Sequence, residues 1–305
     1  MTAIPIWRVQ GERGSRLLMR VITVLALKIG RPVGRALLYP ICAYFLLFSR
    51  HASQASHDYL SRVLGRPPKW SERFRHYHCF AGQILDRVHL LTGDVARFDC
   101  AIEGLDVLDV ATGKGLGVFL VGAHLGSFEV MRVLALARSS TRVRVLMYEA
   151  NAEKLASVLA PLNVDVSSQI IALGRPETML EVRDALARGE AVGLLADRVV
   201  AGDRVRRCRF LGGSASFADG PFVLAAALGA PIVLFSAVQS DDGRYRVRFE
   251  PFSDRIGLPR GERDTALQQA CERYAEWLEV RCREAPYNWF NFYDFWASDT
   301  SAARA

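Results

Sequence analysis

The stretch "LVGAHLGSFE", residues 120–129, sets His124 among small residues and Glu129 five positions further on. A histidine beside a carboxylate can take a proton from a hydroxyl near neutral pH. The carboxylate fixes the ring tautomer and stabilises the imidazolium that forms. General-base action of this kind contributes about 10²- to 10⁴-fold in rate. The same residues also read as packing: a histidine satisfied at a strand-to-helix corner, and a glutamate compensating a helix dipole. The elements around them decide between the two.

"GVFLVGA" is apolar and β-branched, the pattern of a strand buried on both faces of a parallel sheet. His124 then sits at or just past its carboxyl end, where open α/β sheets bind ligands. Ser127 is a suitable N-cap for the next helix, "SFEVMRVLALAR", and Glu129 falls in its first turn. A five-residue gap does not share a helix face, but it can close across such a corner.

Short strand-like runs alternate with helical ones along the rest of the chain. They are "VRVLMYEA", "NAEKLASVLAPL", "QIIAL", "PETMLEVRDALARG" and "AVGLLAD". Later come "RCRF", a helix over "SFADGPFVLAAALG", the strands "PIVLFSAV" and "RYRVRFEPF", and the long helix "DTALQQACERYAEWLEVRCREA". The alternation predicts an α/β fold with a mostly parallel central sheet flanked by helices. Residues 54–92 read as helical.

The net charge of +7 is unevenly placed. Residues 1–50 hold eight basic side chains and one acidic one, and in the remaining 255 residues 31 basic side chains cancel 31 acidic ones. The basic segment is also apolar, with its longest uncharged run of 14 residues at Ala36–Ser49. A bilayer-spanning helix wants about 20 apolar residues. Residues 1–50 therefore read as a basic, apolar, helical membrane anchor lying in the headgroup plane, and residues 51–305 as the α/β domain. A core helix pair with solvated arginines and a single short span are the other readings.

"VLDVATGKGLG", residues 107–117, has the look of a strand and glycine loop that cradle S-adenosylmethionine. The run directly after it, "VFLVGAH", is itself strand-like, so the better parse is a short helix with a glycine C-cap feeding a buried strand. There is no G-x4-G-K-[ST] loop and no G-x-S-x-G elbow. The six cysteines (42, 79, 100, 208, 271 and 282) have no zinc spacing and read as buried thiols, so no metal is expected.

"AHLGSFE" resembles the His-x4-Asp/Glu block of the bacterial lipid A late acyltransferases. These belong to the lysophospholipid acyltransferase superfamily, with the phosphatidylinositol mannoside acyltransferases. "GEAVGLLADRVVAGDRVRRCRFLGGSASFADGPFVLAAALGAPIVLFSAV" is similar to that family's second half: a strand ending in an acid, a basic loop, a Phe-Leu-Gly turn, a Gly-Pro helix and an Ala-rich run. The N-terminal segment resembles the family's anchor, and the likeness covers roughly residues 15–285.

The resemblance implies an O-acyltransferase in which His124 deprotonates the acceptor hydroxyl. Its carboxylate partner is either Glu129 or Asp197 of "LLADR". Arg198 would hold a phosphate or stabilise the thioester oxyanion, or else form a surface salt bridge. Phe210, Gly212 and Gly213 match the turn lining the family's acyl site, or serve ordinary turn chemistry. The family's Tyr-Arg pair after the third strand is Tyr148-Glu149 here, and its frequent Asp-Gln is Asp197-Arg198, closer to the mannoside-type enzymes. The tail "WFNFYDFW", residues 289–296, resembles acyltransferases of aryl polyene lipid pathways. Its six aromatics either cap the core or form an interfacial belt.

The expected partners are acyl-carrier protein, or coenzyme A, as thioester co-substrate, anionic membrane lipids, and a lipid or glycolipid acceptor. No cofactor, no metal and no nucleic acid are expected. The expected location is the cytoplasmic face of the bacterial inner membrane, peripheral or monotopic. The rival functions are an S-adenosylmethionine-dependent methyltransferase and a non-catalytic membrane-bound relative.

Overall fold

Three helices lead the described chain: α1 (Arg31–Phe48), α2 (Arg50–Leu64) and α3 (Trp70–Leu91). The computed structural model describes residues 31–135, 141–148 and 169–297, except residues 92, 94, 114 and 201. There follow β1 (Cys100–Glu103), α4 (Leu105–Thr112), β2 (Val118–Gly122), and a short α5 (Phe128–Val130) that continues as a π-turn over Met131–Ala135. Next are β3 (Val143–Tyr148), β4 (Ile170–Leu173), α6 (Thr178–Ala187), β5 (Ala191–Leu195), β6 (Val205–Phe210) and β7 (Gly213–Ala218). The chain continues with α7 (Gly220–Leu228), β8 (Ile232–Gln239), β9 (Tyr245–Ser253) and α8 (Arg263–Glu284). The helix expected over "NAEKLASVLAPL" lies outside the described residues, as does Glu149.

Seven strands form one sheet in the order β1-β9-β8-β2-β5-β3-β4. All its pairings are parallel except β8 with β9. The expected α/β fold with a mostly parallel sheet is therefore present. β2 lies between β5 and β8 with every residue buried, as its unbroken apolar run requires. Phe119 and Val121 face a core shared with Tyr274, Leu278 and Phe222, whereas Val118 and Leu120 face Leu108, Val130 and Met131 on the other side. Each such side chain contributes roughly 1.5–3 kcal/mol by leaving water.

"VLDVAT" is the helix α4, capped at Gly113. The strand that an S-adenosylmethionine loop needs is absent there. A second expectation is corrected. Ser216–Ala218 are strand rather than helix, because β6 and β7 form a hairpin with Phe210 opposite Gly213. Its two turn residues, Leu211 and Gly212, both have positive φ, +47° and +76°, which suits a tight hairpin's twist. The helix begins only at Gly220.

The N-terminal helices also depart from expectation. Leu38, Cys42 and Leu46 of α1 pack on Tyr77 and Leu85 of α3. Arg31 and Arg35, counted among the basic residues of the expected anchor, turn inward onto the buried Asp86 at 2.8 Å each. Residues 1–30 lie outside the described residues. Among the described residues no single helix is long and apolar enough to cross a membrane, although α1 and α2, bent by 95°, pass that test as a pair.

Candidate active site

The register of the sheet brings the candidate residues together. Gly122 of β2 stands opposite Leu195 of β5. His124 and Asp197 each lie two residues further along parallel neighbours, so they arrive side by side at the carboxyl end. Asp197 Oδ1 accepts from His124 Nδ1 at 2.8 Å, and both carboxylate oxygens lie 3.0 Å from the His124 backbone N–H. A carboxylate on Nδ1 places the ring proton there and leaves the lone pair on Nε2. Among the described residues Nε2 has no hydrogen-bond partner, and the His124 side chain is 27% exposed.

Electrostatics favour a neutral base. Burial, and then the charge of Arg198, hold the His124 pKa below the ordinary imidazole value, with Asp197 opposing them. Burial works to raise the Asp197 pKa. The charge the imidazole carries at acid pH and its hydrogen bond, followed by Arg198, outweigh it and bring the carboxyl down to about 2. Asp197 is therefore an anion, fully buried, next to an uncharged ring.

Glu129 is engaged elsewhere. It accepts from Arg132 at 3.0 and 2.8 Å and from Arg87 of α3 at 3.3 Å. Ser127 caps the short helix, its Oγ accepting from the Val130 N–H. The turn before it leaves no room for a side chain. Gly126 has φ +79°, and a Cβ there would lie 1.9 Å from the Ala237 carbonyl oxygen.

Arg198 donates to the Asn291 side-chain oxygen at 2.8 Å and to the Phe290 carbonyl at 3.1 Å. Phe210 packs edge-on against Trp289, with ring centroids 5.3 Å apart. Gly212 forms the hairpin turn with open space around it, and a Cβ on Gly213 would meet the Arg62 guanidinium at 2.7 Å. Phe210 thus connects to the pair through Trp289, whose indole N–H donates to Asp197.

Trp289 and Asn291 were not singled out from the sequence. Trp289 Nε1 and Asn291 Nδ2 both donate to Asp197 Oδ2, at 3.0 and 2.7 Å. The Phe290 N–H donates to the His124 carbonyl, so the tail runs as a strap across residues 124–126. Behind it His76 is fully buried, bonded to the Trp289 carbonyl at 2.7 Å and to Ser56 Oγ at 2.9 Å. The signal available was polarity: Asn288 and Asn291 interrupt a run of aromatics, and a buried amide in such a run needs partners.

A neutral imidazole with a free Nε2, a buried anion behind it and a guanidinium alongside define a site able to deprotonate an alcohol and steady a developing negative charge. This chain belongs to the bacterial lipid A biosynthesis acyltransferase family, whose sequence model matches residues 70–298. It is accordingly an acyltransferase, and the family implies a lipid acceptor and an acyl donor. No curated protein matches the chain.

Proposed function

We propose that the protein is a membrane-associated O-acyltransferase that moves a fatty acyl chain from a thioester of acyl-carrier protein, or less readily coenzyme A, to a hydroxyl of a lipid or glycolipid. The observation that carries this reading is the 2.8 Å bond between His124 and Asp197 at the ends of adjacent parallel strands in a chain of this family. His124 Nε2 takes the hydroxyl proton as the oxygen attacks the thioester carbonyl. The C–O bond forms and the C–S bond breaks. The proton held on the imidazole passes to the departing thiolate. Arg198 steadies the oxyanion in between or binds an acceptor phosphate. Asp197 is the partner that holds the ring. Glu129 serves by ordering Arg87 and Arg132.

The test is transfer by the purified full-length chain, given acyl-carrier-protein thioester and a hydroxylated glycolipid. An ester product and free thiol are expected. Asp197→Ala should lower turnover far more than Glu129→Ala, because only Asp197 touches the imidazole. A larger loss from Glu129→Ala would transfer the partner role to that residue. No ester from either donor would reject the function.

Membrane association at the cytoplasmic face of the inner membrane is part of the same proposal. Val33, Leu37, Tyr44, Leu47 and Phe48 of α1 and Trp70 and Ile84 of α3 are large apolar side chains left in solvent. Phe80 of α3, also exposed, packs against Phe290 with ring centroids 5.2 Å apart, and Phe290 adjoins His124. Large apolar side chains left exposed on two packed helices suit an interfacial surface, as an enzyme with lipid substrates needs. Leu47→Asp with Phe48→Asp should abolish flotation with phosphatidylethanolamine–phosphatidylglycerol vesicles. Undiminished flotation of the double variant would remove this face from the membrane reading.

A further inference from the structure

We propose that Asn291 is a positioning residue for the base, its amide set between Asp197 and Arg198 so that the carboxylate stays turned to His124 and the guanidinium stays apart from it. The inference rests on the reading of His124 and Asp197 as the base pair. Asn291 is 1% exposed. Its Nδ2 donates to Asp197 Oδ2 at 2.7 Å while its Oδ1 accepts from Arg198 Nε at 2.8 Å. Only one orientation of the amide does both, because a flip would aim a donor at the guanidinium and an acceptor at the carboxylate.

Asp197 and Arg198 are consecutive, oppositely charged and largely enclosed. Left to each other, they would pair directly, and that pairing competes for the oxygen that holds His124. Asn291 satisfies both without joining them. The Phe290 carbonyl draws the guanidinium further toward the tail, at 3.1 Å. Trp289, fully buried, gives Asp197 Oδ2 its second side-chain donor. Oδ1 is then left to the imidazole and the His124 backbone N–H. Among the described residues, the other titratable groups whose charge acts on Asp197 are Tyr274 and Cys282 of α8 and Tyr293 of the tail, which burial keeps in their neutral forms. Asp197 and Arg198 therefore set the field at His124.

The test compares acyl transfer by full-length wild type, Asn291→Leu, Asn291→Asp and His124→Ala across the pH range around neutrality. Asn291→Leu keeps the volume and loses both bonds. It should lower kcat roughly 10- to 100-fold, the equivalent of losing a hydrogen bond to a charged group, with little change in KM for the acceptor. Asn291→Asp sets a second carboxyl against Asp197, where the two hold one proton between them, so it keeps both bonds and should retain turnover that Asn291→Leu loses. A folded Asn291→Leu with the kcat of wild type overturns the proposal. Should Asn291→Leu fail to fold, Trp289→Phe carries the same test. It removes the other side-chain donor from Asp197 Oδ2 and should lower kcat with little change in KM, and an unchanged kcat overturns the proposal. An inactive His124→Ala with an undiminished Asn291→Leu sinks this inference alone. An active His124→Ala sinks the reading beneath it.

Discussion

His124→Ala lowers acyl transfer by about 10²- to 10⁴-fold, the span a positioned general base supplies. The fold survives the change. His124 lies past the end of β2, its side chain is 27% exposed, and the strand beneath it is fixed by ladders to β5 and β8. The pH dependence comes from the same residues. A base works only when neutral, and burial together with Arg198 holds this imidazole below its ordinary pKa of about 6.5. The profile of kcat/KM is therefore flat through neutrality and falls only on the acid side of that value. Steady-state rates of wild type and variant, with circular dichroism on both, decide the matter. Wild-type turnover in the alanine variant would rule His124 out as the base.

Asp86→Asn destabilises the protein by roughly 3 kcal/mol, the lower end of the cost of breaking a buried ion pair. Asp86 is fully buried and accepts from Arg31 at 2.8 and 2.9 Å, from Arg35 at 2.8 Å and from the Tyr245 hydroxyl at 2.8 Å. An amide of the same shape leaves two guanidinium groups without a counter-charge. The lower end applies because Arg31 and Arg35 remain 21% and 26% exposed, so water recovers part of the loss. Burial works to raise the Asp86 pKa, but the bond from Arg31 and the charge of Arg35 bring it below the usual carboxylate value. This contribution is thus complete above the unfolded-chain value of about 3.9 and is lost as the pH falls through the depressed native one. Urea unfolding with limited proteolysis checks it. The variant should unfold at lower urea, with α1 cut first, and an unchanged midpoint would show that the arginines find other partners.

Where two chain segments meet by strand register, the site was legible. The apolar run of β2 places His124 just past the strand's carboxyl end, and the run ending in Asp197 does the same for its neighbour. Equal offsets then make the pair. Glu129 is nearer in sequence and lost the competition, because Arg132 sits three residues on and Arg87 enters from α3, and neither pairing is visible in the local pattern. The tail was opaque for a related reason. Its partners lie more than 90 residues away, so an aromatic run reads as generic cover until packing shows Trp289 and Asn291 on Asp197. At Ser216–Ala218 the small and aromatic residues suited a helix, and pairing with β6 overrode that preference. The inward turn of Arg31 and Arg35 depended on a carboxylate 55 and 51 residues ahead.

The strap over residues 288–291 has a consequence for the order of events during synthesis. Translation delivers every strand of the sheet before it delivers Trp289 and Asn291. His124 and Asp197 thus lie on strands made earlier than the two donors that hold the second carboxylate oxygen, and that oxygen is held by side chains only once residues 289 and 291 have docked.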